Sequence, residues 1–249
     1  DRRESLLSIL RNVSPNEDNY FTSNLGKAPA ATNTLHEWVE YNTARPTSVT
    51  FGIEGFQASY GDLTRPTRLN NATAIVDEEV RVSGTMRAVS TATGEDPYAF
   101  QKGEALKRLK AKMEFVTING AFASGASGVA RGMYGIDGMI STNVTARASG
   151  QSFTETELND MMQDVWTQVG SEYVSDLIIA PMVIKRRISG FTANLTRYIK
   201  AEDKRLTNEV RVYDSQVGQT VMVLAHKDIN AAAGTLTVLA LKEDLWKHA

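Results

Sequence analysis

The sequence predicts a mixed α+β fold, in which helices and strands follow one another without the regular alternation of a doubly wound sheet. Three observations favour it. Residues 96–122 have the period of one long amphipathic helix, residues 48–89 contain stretches that alternate apolar and polar side chains, and residues 152–241 mix helical and strand patterns.

Composition excludes several classes of protein. With 249 residues, 42% of them hydrophobic and 22% charged, the chain is large enough for a sizeable core. Its net charge of −2 predicts no general attraction to nucleic acid. The lack of cysteine excludes disulfides and thiolate metal sites. No apolar run approaches the ~20 residues of a membrane-spanning helix, so we expect no membrane partner.

Residues 1–47 predict an N-terminal arm. Residues 5–10 have the length of a short helix, but the polar run that follows contains few large apolar residues. Such a segment becomes ordered mainly by lying on another surface. Residues 34–39 then predict a short strand that ends before Pro46.

Residues 48–89 predict a long two-stranded excursion. Val49, Phe51 and Ile53 alternate with polar residues, and residues 74–86 show the same period of two. The intervening residues 61–71 have the composition of a loop tip. Because an isolated hairpin is only marginally stable, its apolar face requires a partner surface, which another subunit can supply.

Residues 96–122 predict a helix on the order of 40 Å long. Asp96 suits the N-cap and Pro97 the first helical position. The predicted apolar stripe consists of Ala99, Leu106, Leu109, Met113, Val116 and Gly120. The charged residues assigned to the other faces are Lys102, Glu104, Lys107, Arg108, Lys110, Lys112 and Glu114.

This assignment has two consequences. Glu104 and Arg108 are expected to form an i,i+4 ion pair, and a charge placed at Leu109 is expected to prevent folding. A helix of this length can brace a flat, extended subunit. An ordinary long helix on a compact domain explains the same pattern.

The glycine-rich residues 120–138 could form a phosphate-binding loop. They lack the Gly-Lys-Ser/Thr ending of such a loop, and no clear strand leads into them. We interpret them as a flexible connection with tight turns.

The remaining elements follow from local signals. Thr154 and Glu157 form a capping-box pattern at the start of a helix that ends at Gly170, with Leu158, Met161, Met162, Val165, Trp166 and Val169 as its apolar stripe. Residues 177–180 predict a buried strand, and a short helix follows from Pro181 to Gly190. An antiparallel pair of strands turned at residues 215–218 comes next, and it contains Val210, Val212, Val217, Val221, Val223 and Ala225. A last strand over residues 236–240 follows a turn at Gly234.

No pattern of residues predicts catalysis. The histidines, His36, His226 and His248, lie far apart and have no metal-ligand spacing. Asp77 and Glu79 share the polar face of a predicted strand, and Glu78 lies on the opposite face. We interpret the face with Asp77 and Glu79 as a solvated surface. No Gly-x-Ser-x-Gly elbow occurs. We therefore predict no catalytic, cofactor-binding or metal-binding residues, no cofactor and no enzyme activity.

Lys185, Arg186 and Arg187 form a small basic cluster on the short helix. Such a cluster usually belongs to a solvated face. A contact with nucleic acid or with another subunit is the alternative.

Six short motifs follow one another along the chain. They are Glu37-Trp38, Arg68 followed by Asn71-x-Thr73-x-Ile75, the run Val80-x-Val82-Ser83-Gly84-Thr85, the charged helix residues 104–114, the strand–Pro–basic segment 177–191 and the late hairpin 210–223. In this order they resemble the major capsid proteins of tailed phages with the HK97-type fold, and the local sequence is similar to the SU10-like major capsid family. Ala74 stands where that family commonly has Gln.

The resemblance implies an organisation of the chain. Residues 1–47 would be the N-terminal arm, residues 48–89 the E-loop, residues 90–139 and 226–249 the peripheral domain with its spine helix at 96–122, and residues 140–225 the axial domain.

The resemblance also implies a function. Copies of the chain would assemble through pentamers and hexamers into an icosahedral phage head around double-stranded DNA, which is bound without sequence specificity. The implied partners are portal, scaffold or maturation protease and a decoration protein, and the implied location is the virion, assembled in the host bacterial cytoplasm. Relatives cross-linked through an E-loop lysine are known, but this chain has no lysine between Lys27 and Lys102.

Two alternatives come from other classes. A cellular nanocompartment shell has the same fold and encloses an enzyme cargo instead of DNA. An enzyme with a site assembled from distant residues is the second alternative, and it would be favoured by a chain that remains monomeric at every concentration.

Overall fold

The structure is a computed structural model that describes residues 19–41, 46, 48–57, 65–88, 96–146, 152–191, 211–216, 218, 220–229 and 236–248. The predicted helix at residues 5–10, and the predictions at Val210, Val217 and Gly234, lie outside this part of the chain. The helices are α1 (Tyr20–Asn24), α2 (Gly84–Ala88), α3 (Pro97–Asn119), α4 (Ile136–Met139), α5 (Glu155–Val169) and α6 (Met182–Ser189). The strands are β1 (Gly26–Lys27), β2 (Leu35–Glu40), β3 (Thr67–Ala72), β4 (Leu177–Ala180), β5 (Val212–Asp214), β6 (Thr220–Ala225), β7 (Leu239–Leu241) and β8 (Lys247–His248), and 3₁₀ turns occur at Ser171–Tyr173 and Glu243–Leu245. The predicted α+β class is confirmed.

A four-stranded mixed sheet in the order β5-β6-β4-β7 forms the centre of the fold. Strand β4 pairs in parallel with β6 and antiparallel with β7, so that Ile178 lies between Val223 and Ala240. All residues of β4 are buried, as its continuous apolar run predicted.

Each face of this sheet has its own core because successive side chains of β4 point to opposite faces. Ile178 and Ala180 belong to a core with α5 and α6, whose buried members are Leu158, Met162, Val174, Ile178, Ala180, Ile184, Ile188, Tyr213, Val221 and Val223. Leu177 and Ile179 belong to a second core with α1 and α3, whose buried members are Phe21, Ile118, Ile136, Leu177, Ile179, Ile229, Leu239 and Leu241. The second core therefore joins the N-terminal segment to the sheet.

The long helix α3 begins as predicted but buries a different face. Asp96 accepts a hydrogen bond from the Tyr98 N–H at 3.0 Å, Pro97 starts the helix, and Gly120 caps it two residues before the predicted end. The predicted stripe is wrong, because Leu106 is 55% and Met113 41% exposed. The buried residues are Ala105, Glu114, Thr117 and Ile118. Periodicity defines the faces of a helix, but distant elements, here α1 and the sheet, decide which face is covered.

The predicted two-stranded excursion is also placed differently. Among the described residues of this region the strand is β3, which lies where the loop tip was predicted. It pairs antiparallel with β2, with Leu35 opposite Ala72 and Glu40 opposite Thr67. The described residues 48–57 and 73–83 are not in strands, and residues 84–88 are helical. Alternation gives a segment the capacity to form a strand, but a strand also needs an edge that offers N–H and C=O partners.

The glycine-rich connection packs closely against the end of α3. Gly125 and Gly128 have φ angles of 76° and 79° and make the tight turns that were predicted. A Cβ atom on Gly120 would lie 2.5 Å from the Met133 carbonyl oxygen, and one on Gly135 would meet backbone atoms of Ile118 and Gly120. The glycines therefore permit close backbone approach, which the interpretation as a flexible connection missed.

The remaining elements confirm their local signals. The capping box of α5 is present, with Glu157 Oε2 accepting from the Thr154 N–H at 2.8 Å. Its predicted stripe is only half right, because Leu158 and Met162 are buried whereas Trp166 and Val169 are exposed. Strands β5 and β6 form the predicted antiparallel pair. Helix α6 lies between Pro181 and Gly190, as predicted.

Candidate functional site: polar anchors and exposed surfaces around the long helix

Glu114, which the sequence assigned to a charged outer face of α3, is 0% exposed. Its Oε1 accepts from the Phe21 N–H at 2.8 Å, and its Oε2 accepts from the Thr22 N–H at 2.7 Å and the Thr22 hydroxyl at 2.6 Å. One carboxylate thus satisfies backbone groups at the start of α1 that have no partner within that helix. We call Glu114, Phe21, Thr22 and His226 the Glu114 anchor.

His226 completes this anchor from the end of β6. Its Nε2 lies 3.1 Å from Glu114 Oε1, and its Nδ1 accepts from the Asp228 N–H at 3.2 Å. Because Nδ1 is an acceptor, the proton is on Nε2, and a neutral imidazole can donate to the carboxylate. Burial raises the pKa of Glu114, but the hydrogen bonds from His226, Thr22 and Phe21 outweigh it and hold the pKa below its ordinary value of 4.5.

A second group of polar contacts attaches the neighbouring residue, Tyr20. Its hydroxyl donates to Glu243 Oε1 at 3.2 Å, and the Glu243 N–H donates to Asp176 Oδ1 at 2.9 Å. Asp176 also pairs with Lys242 at 3.0 Å. Burial and the Glu243 carboxylate raise the pKa of Tyr20 to about 12, so its hydroxyl keeps its proton and remains a donor. The segment before β1 is thereby linked to the C-terminal part of the described chain.

Residues 77–78 are attached to the outer side of α3. Glu78 forms ion pairs with Arg108 and Lys112, each at 2.6 Å, and the Lys112 ammonium also donates to the Asp77 carbonyl at 2.8 Å. Hydrogen bonds from Lys112 and Arg108 hold the pKa of Glu78 below its ordinary value. The sequence paired Glu104 with Arg108, whereas in the structure Glu104 pairs with Lys107 at 3.1 Å and Arg108 pairs with Glu78.

Asn71 connects β3 to the glycine-rich segment. Its side chain accepts from the Tyr134 N–H at 2.8 Å and donates to the Tyr134 carbonyl at 3.1 Å, as a neighbouring strand's backbone would. The Tyr134 ring stacks on Phe122 with the ring centroids 5.1 Å apart. These contacts fix the excursion beside the end of α3.

The described residues 48–57 expose large apolar side chains. Phe51 is 89% and Ile53 82% exposed, and Val49, Phe56 and the more distant Ile75 are also exposed. The backbone hydrogen bond recorded in this stretch joins the Phe56 N–H to the Ile53 carbonyl at 3.0 Å. Exposed apolar residues gathered in one segment are typical of a protein–protein contact.

The candidate residues from the sequence are not gathered into one site. His36 packs on Trp38 with the ring centroids 6.0 Å apart, whereas His226 lies in the Glu114 anchor and His248 in β8. Asp77 and Glu79 are exposed, which confirms their predicted solvated face. In the basic cluster of α6, Arg186 is exposed while Lys185 and Arg187 are half-buried.

The described residues contain no group of three or more His, Cys, Asp or Glu side chains that could hold a metal ion. Among the helices described here, none is both long and apolar enough to cross a membrane.

Sequence reasoning missed Glu114, although one signal was present. Glu114 is the single charged residue between Lys112 and Arg131, in a run that contains Phe115, Val116 and Ile118. A lone acid in an otherwise uncharged helix end indicates a buried carboxylate with partners. Its partners could not be identified, since they are 92 and 112 residues away.

A mixed α+β fold with anchored segments and an outward apolar surface has the features of a structural protein that contacts other chains. The chain matches the model of the SU10 major capsid protein family over residues 2–249, and it belongs to that family. No curated protein matches it. Family membership identifies the chain as a bacteriophage major capsid protein with a structural role in the virion, as the resemblance predicted, and a structural family favours the prediction that the chain is not an enzyme.

Proposed function

We propose that the chain assembles, through pentamers and hexamers, into an icosahedral phage head around double-stranded DNA. The observation that carries this proposal is the exposed apolar segment 48–57, in which Phe51 is 89% exposed. Copies of one subunit that bury such a segment on a neighbour form a heterologous contact, which closes into a shell when it is repeated around symmetry axes.

The proposed organisation follows the HK97-type fold. In it, residues 1–47 form the arm, residues 48–89 the E-loop, residues 90–139 and 226–249 the peripheral domain, and residues 140–225 the axial domain. Two sets of contacts support the proposal that residues 71–78 of the E-loop are fixed to the rest of the subunit. They are the Glu78 ion pairs with α3 and the Asn71 hydrogen bonds to Tyr134. With residues 71–78 held in this way, the exposed apolar segment 48–57 would be directed towards a neighbouring subunit.

The proposal includes the partners of a phage head. Packaged DNA is enclosed without sequence specificity, although the net charge of −2 supplies no general polyanion affinity. Portal, scaffold or maturation protease and a decoration protein are the further partners, and assembly takes place in the host bacterial cytoplasm. Family membership gives no support to the nanocompartment alternative.

The test uses a double variant in the apolar segment and a matched control. Phe51→Asp with Ile53→Asp places charges on the exposed apolar side chains, whereas Thr50→Asp places a charge at an exposed polar position of the same segment. We expect the wild type and the control to form large closed particles by mass photometry and electron microscopy. The double variant should remain folded by circular dichroism but unassembled.

The same particles test the contents of the shell. We expect nuclease-protected double-stranded DNA in particles isolated from producing cells. A wild type that forms only monomers or dimers under all salt conditions would contradict the proposal, and particles that enclose an enzyme instead of DNA would favour the nanocompartment alternative.

A further inference from the structure

We propose that Glu114 is the positioning residue for the N-terminal segment: its buried, ionised carboxylate fixes residues 19–25 on the long helix and thereby sets where the preceding arm leaves the subunit. The anchor itself is a property of the subunit. Its role in assembly rests on the proposed function.

The geometry of the Glu114 anchor selects an ionised carboxylate. The atoms in hydrogen-bond contact with its oxygens are the Phe21 N–H, the Thr22 N–H, the Thr22 hydroxyl and His226 Nε2. Every one of these contacts can be made by a donor, and an ionised carboxylate is an acceptor only. A protonated carboxyl or an amide carries hydrogens of its own, so one of its donor groups would face another donor. The carboxylate therefore has to remain charged for all contacts to be made.

Apolar contacts alone do not explain the position of the segment. Phe21 belongs to the second core, with Tyr20 and Leu25 packed against it, and these contacts are non-directional. The Glu114 hydrogen bonds add direction, because they fix the backbone of Phe21 and Thr22 relative to α3. Packing of the Phe21 side chain thus drives burial of residues 19–25, and the hydrogen bonds to Glu114 set the orientation of their backbone on α3.

Glu114 and His226 are the titratable side chains of this contact, and the neighbouring charged groups are directed to other partners. Tyr20 of α1 directs its hydroxyl to Glu243, and Lys242 pairs with Asp176. From the turn after β6, Asp228 uses its backbone, donating its N–H to His226 and accepting at its carbonyl from Asn119 at 2.8 Å. His226 is the titratable side chain in hydrogen-bond contact with the carboxylate in the described structure.

The sign of the pH dependence follows from the pKa of Glu114, which is held below 4.5 in the folded chain. A lowered pKa means that the anchor contributes its full stability above pH 4.5 and loses it as the pH falls through the folded-state pKa. The segment should therefore loosen in acid, before the sheet unfolds.

Glu114→Gln tests the anchor at constant pH because it keeps the size of the side chain and removes the charge. Hydrogen exchange is measured by mass spectrometry on the unassembled full chain at pH 7. We expect exchange in residues 19–25 to rise about tenfold or more, the change that corresponds to losing one charged hydrogen bond, while β4 keeps its protection. The matched control is Glu104→Gln, the same chemical change at the less buried ion pair on the same helix, which should leave residues 19–25 unchanged.

Two results would overturn the proposal. Unchanged exchange of residues 19–25 in Glu114→Gln would show that apolar packing suffices, and an equal loss of protection in β4 would make Glu114 a general core residue. If the variant does not fold, a chain that keeps Glu114 and carries Trp246 as its single tryptophan decides. Trp246 packs against the second core, so its fluorescence reports this region when Trp38→Phe and Trp166→Phe remove the other tryptophans.

In that reporter chain, we expect the Trp246 signal to change with a midpoint below pH 4.5 while the circular dichroism of the sheet is retained. A Trp246 signal that changes only together with the circular dichroism overturns the proposal. Particle formation is scored separately. Failure of the wild type to assemble would count against the proposed function and would leave the exchange comparison intact.

Discussion

Phe21 lies in the five-residue helix α1, where it is 0% exposed, and Phe51 lies outside helices and strands, where it is 89% exposed. The segment around Phe21 has a covering surface within its own chain, formed by Ile118 and the sheet residues Leu177 and Ile179. The segment around Phe51 has no comparable cover among the described residues. An apolar side chain is buried where a covering surface exists. The subunit itself supplies that surface for the segment around Phe21 but not, among the described residues, for the segment around Phe51.

Backbone hydrogen bonding differs in the same way. The N–H groups of Phe21 and Thr22 donate to the Glu114 carboxylate, which is itself buried. Burying a segment leaves its backbone groups without water, and unsatisfied groups of this kind cost about 1–3 kcal/mol each. Glu114 removes that cost for α1. Residues 48–57 remain accessible to water or to a neighbouring subunit, which can supply such partners on assembly.

The largest expected effect comes from damaging the surface that covers Phe21. Ile118→Asp places an unpaired charge in the second core and should destabilise the subunit by more than about 4 kcal/mol, which prevents folding. Leu109→Asp, on the half-buried part of the same helix, should cost only about 1–2 kcal/mol, in contrast to the expectation from the predicted stripe. Yield of soluble subunit and urea unfolding measure both. Equal losses would mean that both positions are core positions.

Truncating the two phenylalanines tests the comparison directly. Phe21→Ala should lower the free energy of unfolding of the isolated subunit by about 3–5 kcal/mol, since a fully buried aromatic is removed. Phe51→Ala should change it by less than about 0.5 kcal/mol, because that side chain is already exposed to water. Urea titrations of unassembled subunits give both values. A loss at Phe51 as large as that at Phe21 would show that residues 48–57 are covered within the subunit.

The smallest expected effect concerns covalent bonds. Residues 48–89 contain no lysine, and the guanidinium of an arginine stays protonated and cannot act as an amine nucleophile. Mature particles boiled in denaturant should therefore run as a single band at the monomer mass. A ladder of covalent oligomers would show that the subunits of the shell are not held together by non-covalent contacts alone.

Elements with a local signal could be predicted from the sequence. Asp96 and Pro97 start α3, Thr154 and Glu157 form the capping box of α5, and the apolar run of β4 lies in the centre of the sheet. These signals are complete within a few neighbouring residues. The position of β3 was not predictable in this way, because Asn70 and Asn71 have turn-like chemistry and become a strand by pairing with β2.

The sequence by itself determined the α+β class, the main helices and the motif order that resembles a capsid family. Only the tertiary structure decided which face of α3 is buried and that Glu114 anchors the N-terminal segment. The physical reason is the range of the interactions. Caps and periodicities join residues a few positions apart, whereas Glu114 is satisfied by Thr22 and His226, 92 and 112 residues away, and burial exists only once those distant partners meet.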